Sequence, residues 1–313
     1  MTEKAVCLPG GVGTPDYFPR FETGTSIFDP VLCELVYRWF CPSGGLVLDP
    51  FAGGSVRGIV ANKLSRGYVG IELRPEQIAS NREQAERICT EPPMPTWVEG
   101  DAAKLADLRL APGFDFLFSC PPYGDLERYS DDPRDLSTMP YTQFIGTLAN
   151  IISASAKLLK PDRFACFVVG DFRDKDGNYR NFVGDTVSAF RRAGLHLYNE
   201  AVLLTAIGSL PVRAGRQFSA SRKLGKTHQN VLVFVRGDGK HAAKACGDIT
   251  VTWEGATNDP RDGRADSGVL PQGANEGDAS TRAGDSVGRP VGVAAGDEGA
   301  DAGAGREAEG VSN

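Results

Sequence analysis

Val47-Leu48-Asp49-Pro50-Phe51-Ala52-Gly53-Gly54-Ser55 is an apolar run that ends in an acid and then turns through two adjacent glycines. Followed by a helical pattern to about Leu64, it reads as a buried strand, a tight turn and a helix. Doubly wound α/β sheets bind ligands at such turns, at the carboxyl ends of their strands. Gly53 and Gly54 permit close backbone approach, and the helix behind them opens with N–H groups suited to an anionic group. Glu72 ends the next β-rich run, Tyr68-Val69-Gly70-Ile71-Glu72, where a carboxylate can accept from both hydroxyls of a ribose. Asp101 closes a third run, Trp97-Val98-Glu99-Gly100-Asp101, and is placed to accept from an adenine amino group. A lone strand-end acid is more often a solvated carboxylate or a helix cap; three on successive strands favour a nucleotide-like ligand.

Outward from this core the alternation continues. A helix is expected over 29–40, with Asp29 as N-cap and Pro30 in the first turn. Further helices are expected over 75–89, 141–159 and 183–193, the last stopping at Gly194, and strands over 114–118 and 164–169. The runs 200–205 and 231–235 supply the last two strands, as an antiparallel edge. The pattern predicts one α/β domain with a doubly wound, Rossmann-like sheet, mostly parallel. It spans 1–238, with 239–254 as a boundary region in which 249–253 can form a short strand.

Residues 255–313 contain no aromatic residue and show no helical or strand period, and are expected to be disordered. They hold eleven Asp and Glu against five Arg, which accounts for the whole net charge of −6; residues 1–254 balance at 29 against 29. The acidity therefore does not argue against a polyanionic partner. No run approaches the roughly 20 apolar residues of a membrane span. The N-terminus shows no secretory pattern, and the seven cysteines have no Cys-x-x-Cys spacing, so neither zinc, another metal nor a disulfide framework is expected. A cytoplasmic protein is the expectation.

The sharper signal is Phe118-Ser119-Cys120-Pro121-Pro122-Tyr123, at the end of the fourth strand. Two prolines remove two backbone donors and fix φ, leaving carbonyls with set directions. Tyr123 follows with a flat ring on which a planar base can stack. A side-chain acceptor and a proline carbonyl, each taking one N–H, favour a more nucleophilic exocyclic nitrogen. Taken alone, the run would read as a proline-rich strand end with a core tyrosine.

These residues resemble the amino-methyltransferases of DNA, which make N6-methyladenine or N4-methylcytosine. The resemblance covers about 23–236. Asp49-Pro50-Phe51-Ala52-Gly53 is similar to the family's first S-adenosylmethionine motif, and Cys120-Pro121-Pro122-Tyr123 to its catalytic tetrapeptide. It implies S-adenosylmethionine as cofactor, with Asp49 and Gly53 near the methionine moiety, Ser55 offering a hydroxyl and an N–H from the same cofactor turn, Phe51 packed on the cofactor, Glu72 on the ribose and Asp101 near the adenine. The segment before the first helix, with Thr25, resembles the element that closes over the methionine end. Ser55 stands where the family has a second glycine. Cys120 stands where it has Asp, Asn or Ser, and a thiol is a weak acceptor. Polarisation then falls to the Pro121 carbonyl, or is assisted by Ser119 or Asp125.

The stretch 206–236 carries six Lys and Arg and no acid. Arg213, Arg216, Arg222, Lys223 and Lys226 suit the phosphates of double-stranded DNA, and Gln217, Gln229 and Asn230 can read base edges. A solvated cationic loop is the plain alternative, with His228 a simple strand-start residue. The acidic run 129–137 is expected to order its loop or cap a helix, and 167–173 to be core strand followed by a surface turn. Rival functions are an RNA or protein N-methyltransferase, a catalytically silent cofactor- or DNA-binding module and, more distantly, a nicotinamide enzyme.

Overall fold

The computed structural model describes residues 28–126, 128–204 and 210–249. Thr25, the side chains of Asp125 and Arg213, and the tail 255–313 lie outside the described residues. Strands β1 (Leu46–Asp49), β2 (Gly67–Glu72), β3 (Thr96–Glu99), β4 (Phe114–Ser119), β5 (Leu159–Val169), β6 (His196–Leu204) and β7 (His228–Arg236) form one seven-stranded sheet. Their order is β3-β2-β1-β4-β5-β7-β6. The first five run parallel, and β7 and β6 close the edge antiparallel, as the sequence predicts.

Period two sorts the strand side chains onto two faces. On β5, Ala165, Phe167 and Val169 join one core, and Phe164, Cys166 and Val168 the other. The first core is covered by α4 (Tyr141–Leu158) and α5 (Phe182–Arg192). The second is covered by α1 (Pro30–Phe40), α2 (Val56–Lys63), α3 (Pro75–Ile88) and α7 (Gly239–Cys246). Asp29 caps α1 as expected, accepting from Val31 N at 2.8 Å and Leu32 N at 3.2 Å. α7 falls in the expected boundary region; Asp238 caps it and Ala242 is fully buried, so the folded unit continues past residue 238.

Several elements differ from expectation. β5, β6 and β7 are longer, because ladder pairing extends them past their apolar cores. The basic stretch is not a loop throughout: α6 (Leu210–Ser221) occupies much of it. Phe172, expected in a surface turn, is 5% exposed. It is buried because its ring packs edge-on against Tyr123, Tyr141 and Phe182.

Strand order reverses between β1 and β4: the chain winds outward from β1 through β2 to β3, then from β4 to β5. The crevice at such a reversal is where doubly wound sheets take ligands. Asp49, at the end of β1, is fully buried beside it. Its Oδ2 meets Arg57 Nε of α2 at 2.6 Å and accepts from the Tyr68 hydroxyl at 2.7 Å. Its Oδ1 accepts from Phe51 N at 3.1 Å and the Ser119 hydroxyl at 2.5 Å. Arg57 also donates to the carbonyls of Phe51 and Ala52 at 2.7 and 2.9 Å. Its own carbonyl accepts from Tyr37 of α1. Burial alone would pull the Arg57 pKa down, yet Asp49 beside it raises it above its ordinary value.

Removing one partner of a buried ion pair leaves the other charge uncompensated. Arg57→Met is expected to cost about 3–5 kcal/mol in urea unfolding, and Asp49→Asn combined with Arg57→Met less than the single change. A loss under 1 kcal/mol from Arg57→Met would show that the pair does not hold the turn.

Candidate active site

The turn after β1 is gripped from three sides. Ala52 N donates to Ile71 O at 2.9 Å, and Gly53 N to Glu72 Oε2 at 2.9 Å. Asn81 of α3 donates to Gly53 O at 2.7 Å. Gly70 makes this approach possible: a Cβ there would lie 2.8 Å from the Ala52 side chain. Gly53 has φ +50°, a conformation that favours glycine, and a Cβ on Gly53 or Gly54 would meet nothing within 4 Å. The turn thus presents bare backbone to open space at the crevice.

Glu72 ends β2 as expected and is 9% exposed. Its Oε1 accepts from Arg74 N at 3.0 Å, with the Arg74 guanidinium at 3.5 Å. Burial raises its pKa, against the pull of these contacts. Asp101 does not end a strand. β3 stops at Glu99, and Asp101 caps the 3-10 turn that follows, accepting from Ala103 N at 2.8 Å. The Ser55 hydroxyl is buried and turned to Gln84 Oε1 at 2.5 Å, away from any part in lining the turn. Phe51 is half-buried at the margin of the α4-side core.

Cys120-Pro121-Pro122-Tyr123 leaves β4 directly across the crevice from this turn. Pro121 is buried, and Cys120, Pro122 and Tyr123 are half-buried. Ser119 is fully buried, and its hydroxyl donates to Asp49. The Tyr123 ring stands edge-on to Phe172 and Phe182, with centroids at 6.2 and 5.7 Å. Its hydroxyl accepts from Gln229 Nε2 of β7 at 2.7 Å. Gln229 was expected at a base edge; the sheet turns it to Tyr123 instead. Asn230 likewise donates to Glu200 at 2.6 Å across the β6–β7 pair.

The acidic run after this turn orders its own loop, as expected. Asp135 accepts from Ser137 N at 2.9 Å and the Ser130 hydroxyl at 2.8 Å, and Asp132 pairs with Arg134 at 2.6 Å. The basic side chains divide. Arg216 is exposed, and Arg222 is exposed with its guanidinium 5.0 Å over the Phe218 ring. Lys223 lies over Gly177, and Lys226 Nζ donates to Asp171 O at 3.3 Å. His228 begins β7, as the plain reading had it. Among the described residues, no three of His, Cys, Asp and Glu gather in a way that would hold a metal ion. No described helix is long and apolar enough to cross a membrane.

Sequence reasoning missed two residues here. Arg57 and Asn81 carry no motif, and the groups they hold, the Asp49 carboxylate and the Gly53 carbonyl, come beside them only in the fold. A lone arginine in the apolar start of α2 was the one available signal.

Comparison with known proteins bears on the first half of this site. Residues 30–83 match the model of a family described as DNA methylase. The type II methyltransferase M.ScaI of Streptomyces caespitosus is 33% identical over an alignment of 98 residues that covers 26% of this chain. The chain spans about a third, 32%, of that relative's length. Among solved structures, magnesium protoporphyrin IX methyltransferase from Synechocystis is 14% identical, with a TM-score of 0.42 over 66% of this chain and 79% of that one. An S-adenosylmethionine-dependent methyltransferase from Methanosarcina mazei is 12% identical, with a TM-score of 0.43 over 65% of this chain and 97% of that one. The sheet order itself carries the fold assignment. The match to the DNA methylase model runs from α1 to most of α3.

Proposed function

We propose that this protein transfers a methyl group from S-adenosylmethionine to the exocyclic amino nitrogen of adenine (N6) or cytosine (N4) in double-stranded DNA. One observation carries the reading: the glycine turn after β1 and Cys120–Tyr123 after β4 flank a single switch-point crevice, linked by the Ser119–Asp49 hydrogen bond of 2.5 Å. The match over residues 30–83 supports it.

The residues fit the cofactor. Open space over Gly53 and Gly54 leaves room for its methionine end, and Glu72 and Asp101 are acceptors suited to its ribose and adenine. Phe51 would pack on it, and Ser55 would contribute its N–H, with the hydroxyl held by Gln84. Thr25 would close over the methionine end. Asp49, bonded to Phe51 N, Arg57, Tyr68 and Ser119, would hold the turn that lines the methionine end. S-adenosylmethionine, when bound, supplies a methyl group on a positively charged sulfur, open to attack by a nitrogen lone pair.

The chain's own residues prepare that nitrogen. A base flipped from the duplex stacks on Tyr123, whose ring the Phe172 and Phe182 edges and Gln229 hold in place. Pro121 has no N–H to compete, so its carbonyl accepts one amino N–H and leaves the lone pair less delocalised. The Cys120 thiol adds a weak acceptor, so the proline carbonyl carries most of the polarisation. The remaining contribution is orientation. Arg213, Arg216, Arg222, Lys223 and Lys226 would meet phosphates. A cytoplasmic location belongs to this reading.

Expression in a methylation-free bacterial host, followed by nucleoside mass spectrometry, is expected to show N6-methyladenine or N4-methylcytosine, absent with Tyr123→Ala. A soluble protein that binds S-adenosylmethionine yet leaves DNA unmodified would move the acceptor to RNA or protein, or mark a silent module.

A second expectation concerns pH. An ionised Glu72 accepts hydrogen bonds only, and protonation turns one oxygen into a donor. Because burial raises its pKa above the ordinary 4.5, cofactor affinity should weaken as pH falls, starting above that value. Calorimetric titration between pH 5 and 8 checks this. A flat wild-type profile, or one that Glu72→Gln leaves unchanged, would remove Glu72 from the ribose site.

A further inference from the structure

Beyond β5 the chain makes a tight excursion, 171–181, in which Arg173 and Tyr179 form an antiparallel bridge. This excursion faces the end of α6 and the chain after it across an open cleft of about 280 Å³. Phe172 lines the cleft, and the same ring packs on Tyr123, so the cleft begins one ring away from the proposed base-stacking face.

Its walls carry a mixed set of groups. The Arg173 guanidinium lies over the Tyr179 ring at 3.9 Å, fixed by a 2.8 Å bond from its Nη1 to Gly177 O. Tyr179 remains 46% exposed. Gln217 and Leu224 line the opposite wall, Leu224 being 69% exposed. Lys226 stands between, its Nζ held at 3.3 Å by Asp171 O; burial pushes its pKa down, and Asp171 works against that shift. Asp171 is the acid of the lining, and its Oδ1 accepts from Val183 N at 3.0 Å.

Each part matches one part of a nucleotide. A flat aromatic and guanidinium surface stacks any base, an ammonium neutralises a phosphate, and an amide both donates to and accepts from a base edge.

We propose that this cleft holds a nucleotide of the DNA strand beside the target base, with the Tyr179–Arg173 surface under its base and Lys226 at its phosphate. The proposal rests on the reading of the site as a DNA methyltransferase. It makes 171–181 a DNA-contacting wall, where the sequence suggested only a turn.

The test measures binding of a random-sequence duplex oligonucleotide pool by fluorescence anisotropy between 50 and 200 mM salt, beside methylation in the host above. Tyr179→Ala should weaken DNA binding about tenfold, while Tyr179→Phe keeps it. Lys226→Gln should lower the slope of log affinity against log salt by about 1. All three should bind S-adenosylmethionine as wild type does. Should Tyr179→Ala fail to fold, the Lys226→Gln slope decides. Wild-type affinity in Tyr179→Ala with an unchanged slope in Lys226→Gln, from a wild-type protein that methylates DNA, would overturn the cleft assignment alone. A wild-type protein that neither binds nor methylates DNA would overturn the function, and the cleft with it.

Discussion

The buried pair of Asp49 and Arg57 is the constraint on which the site depends. A carboxylate at the end of a central strand, with no exposure to water, is tolerable only with a cation and several donors around it. Arg57, Tyr68, Ser119 and the Phe51 amide supply them. Each donor belongs to a different piece of the molecule: α2, β2, the end of β4 and the glycine turn. Satisfying one charge therefore fixes the relative placement of both sides of the crevice. Tyr37 of α1 extends the network through the Arg57 carbonyl, and Phe28 lies 4.7 Å from the guanidinium. The acid that opens the first motif thus acts through what it holds.

Much of the fold was legible in the sequence because the deciding signals are local. Short apolar runs rich in strand-forming residues located β1, β2 and β4, and Asp29-Pro30 marked the start of α1. The two motifs fell at strand ends because a strand followed by a tight turn is itself a short-range pattern. What escaped was either long-range or locally contradictory. Helix α6 contains Pro211 and Gly215, which depress helix propensity, yet a proline in a first turn gives up only an N–H that has no intrahelical partner. Gln229 and Asn230 looked free to meet a ligand. Their partners, Tyr123 and Glu200, lie 106 and 30 residues away and become neighbours only through the sheet. Asp101 was misplaced by two residues, enough to turn a strand-end acceptor into a helix cap.

The second half of the site shows how one aromatic cluster serves two ends. Tyr123, Phe172 and Phe182 pack edge to edge above the α4-side core, and Tyr141 and Phe144 back them. The cluster ties the turn after β4 to the excursion after β5. Tyr123 and the cleft lined by Tyr179 therefore share the Phe172 ring, and Cys120 sits at the margin of the α1-side core.

The measurement that tests this account most directly is amide hydrogen exchange on Ser119→Ala, which deletes the Ser119–Asp49 hydrogen bond between the ends of β4 and β1 while leaving the Asp49–Arg57 pair in place. The account predicts faster exchange on both sides of the crevice, at 51–53 and at 120–126, with the rest of the sheet unchanged. Acceleration confined to 120–126, with the glycine turn as protected as in wild type, would contradict it.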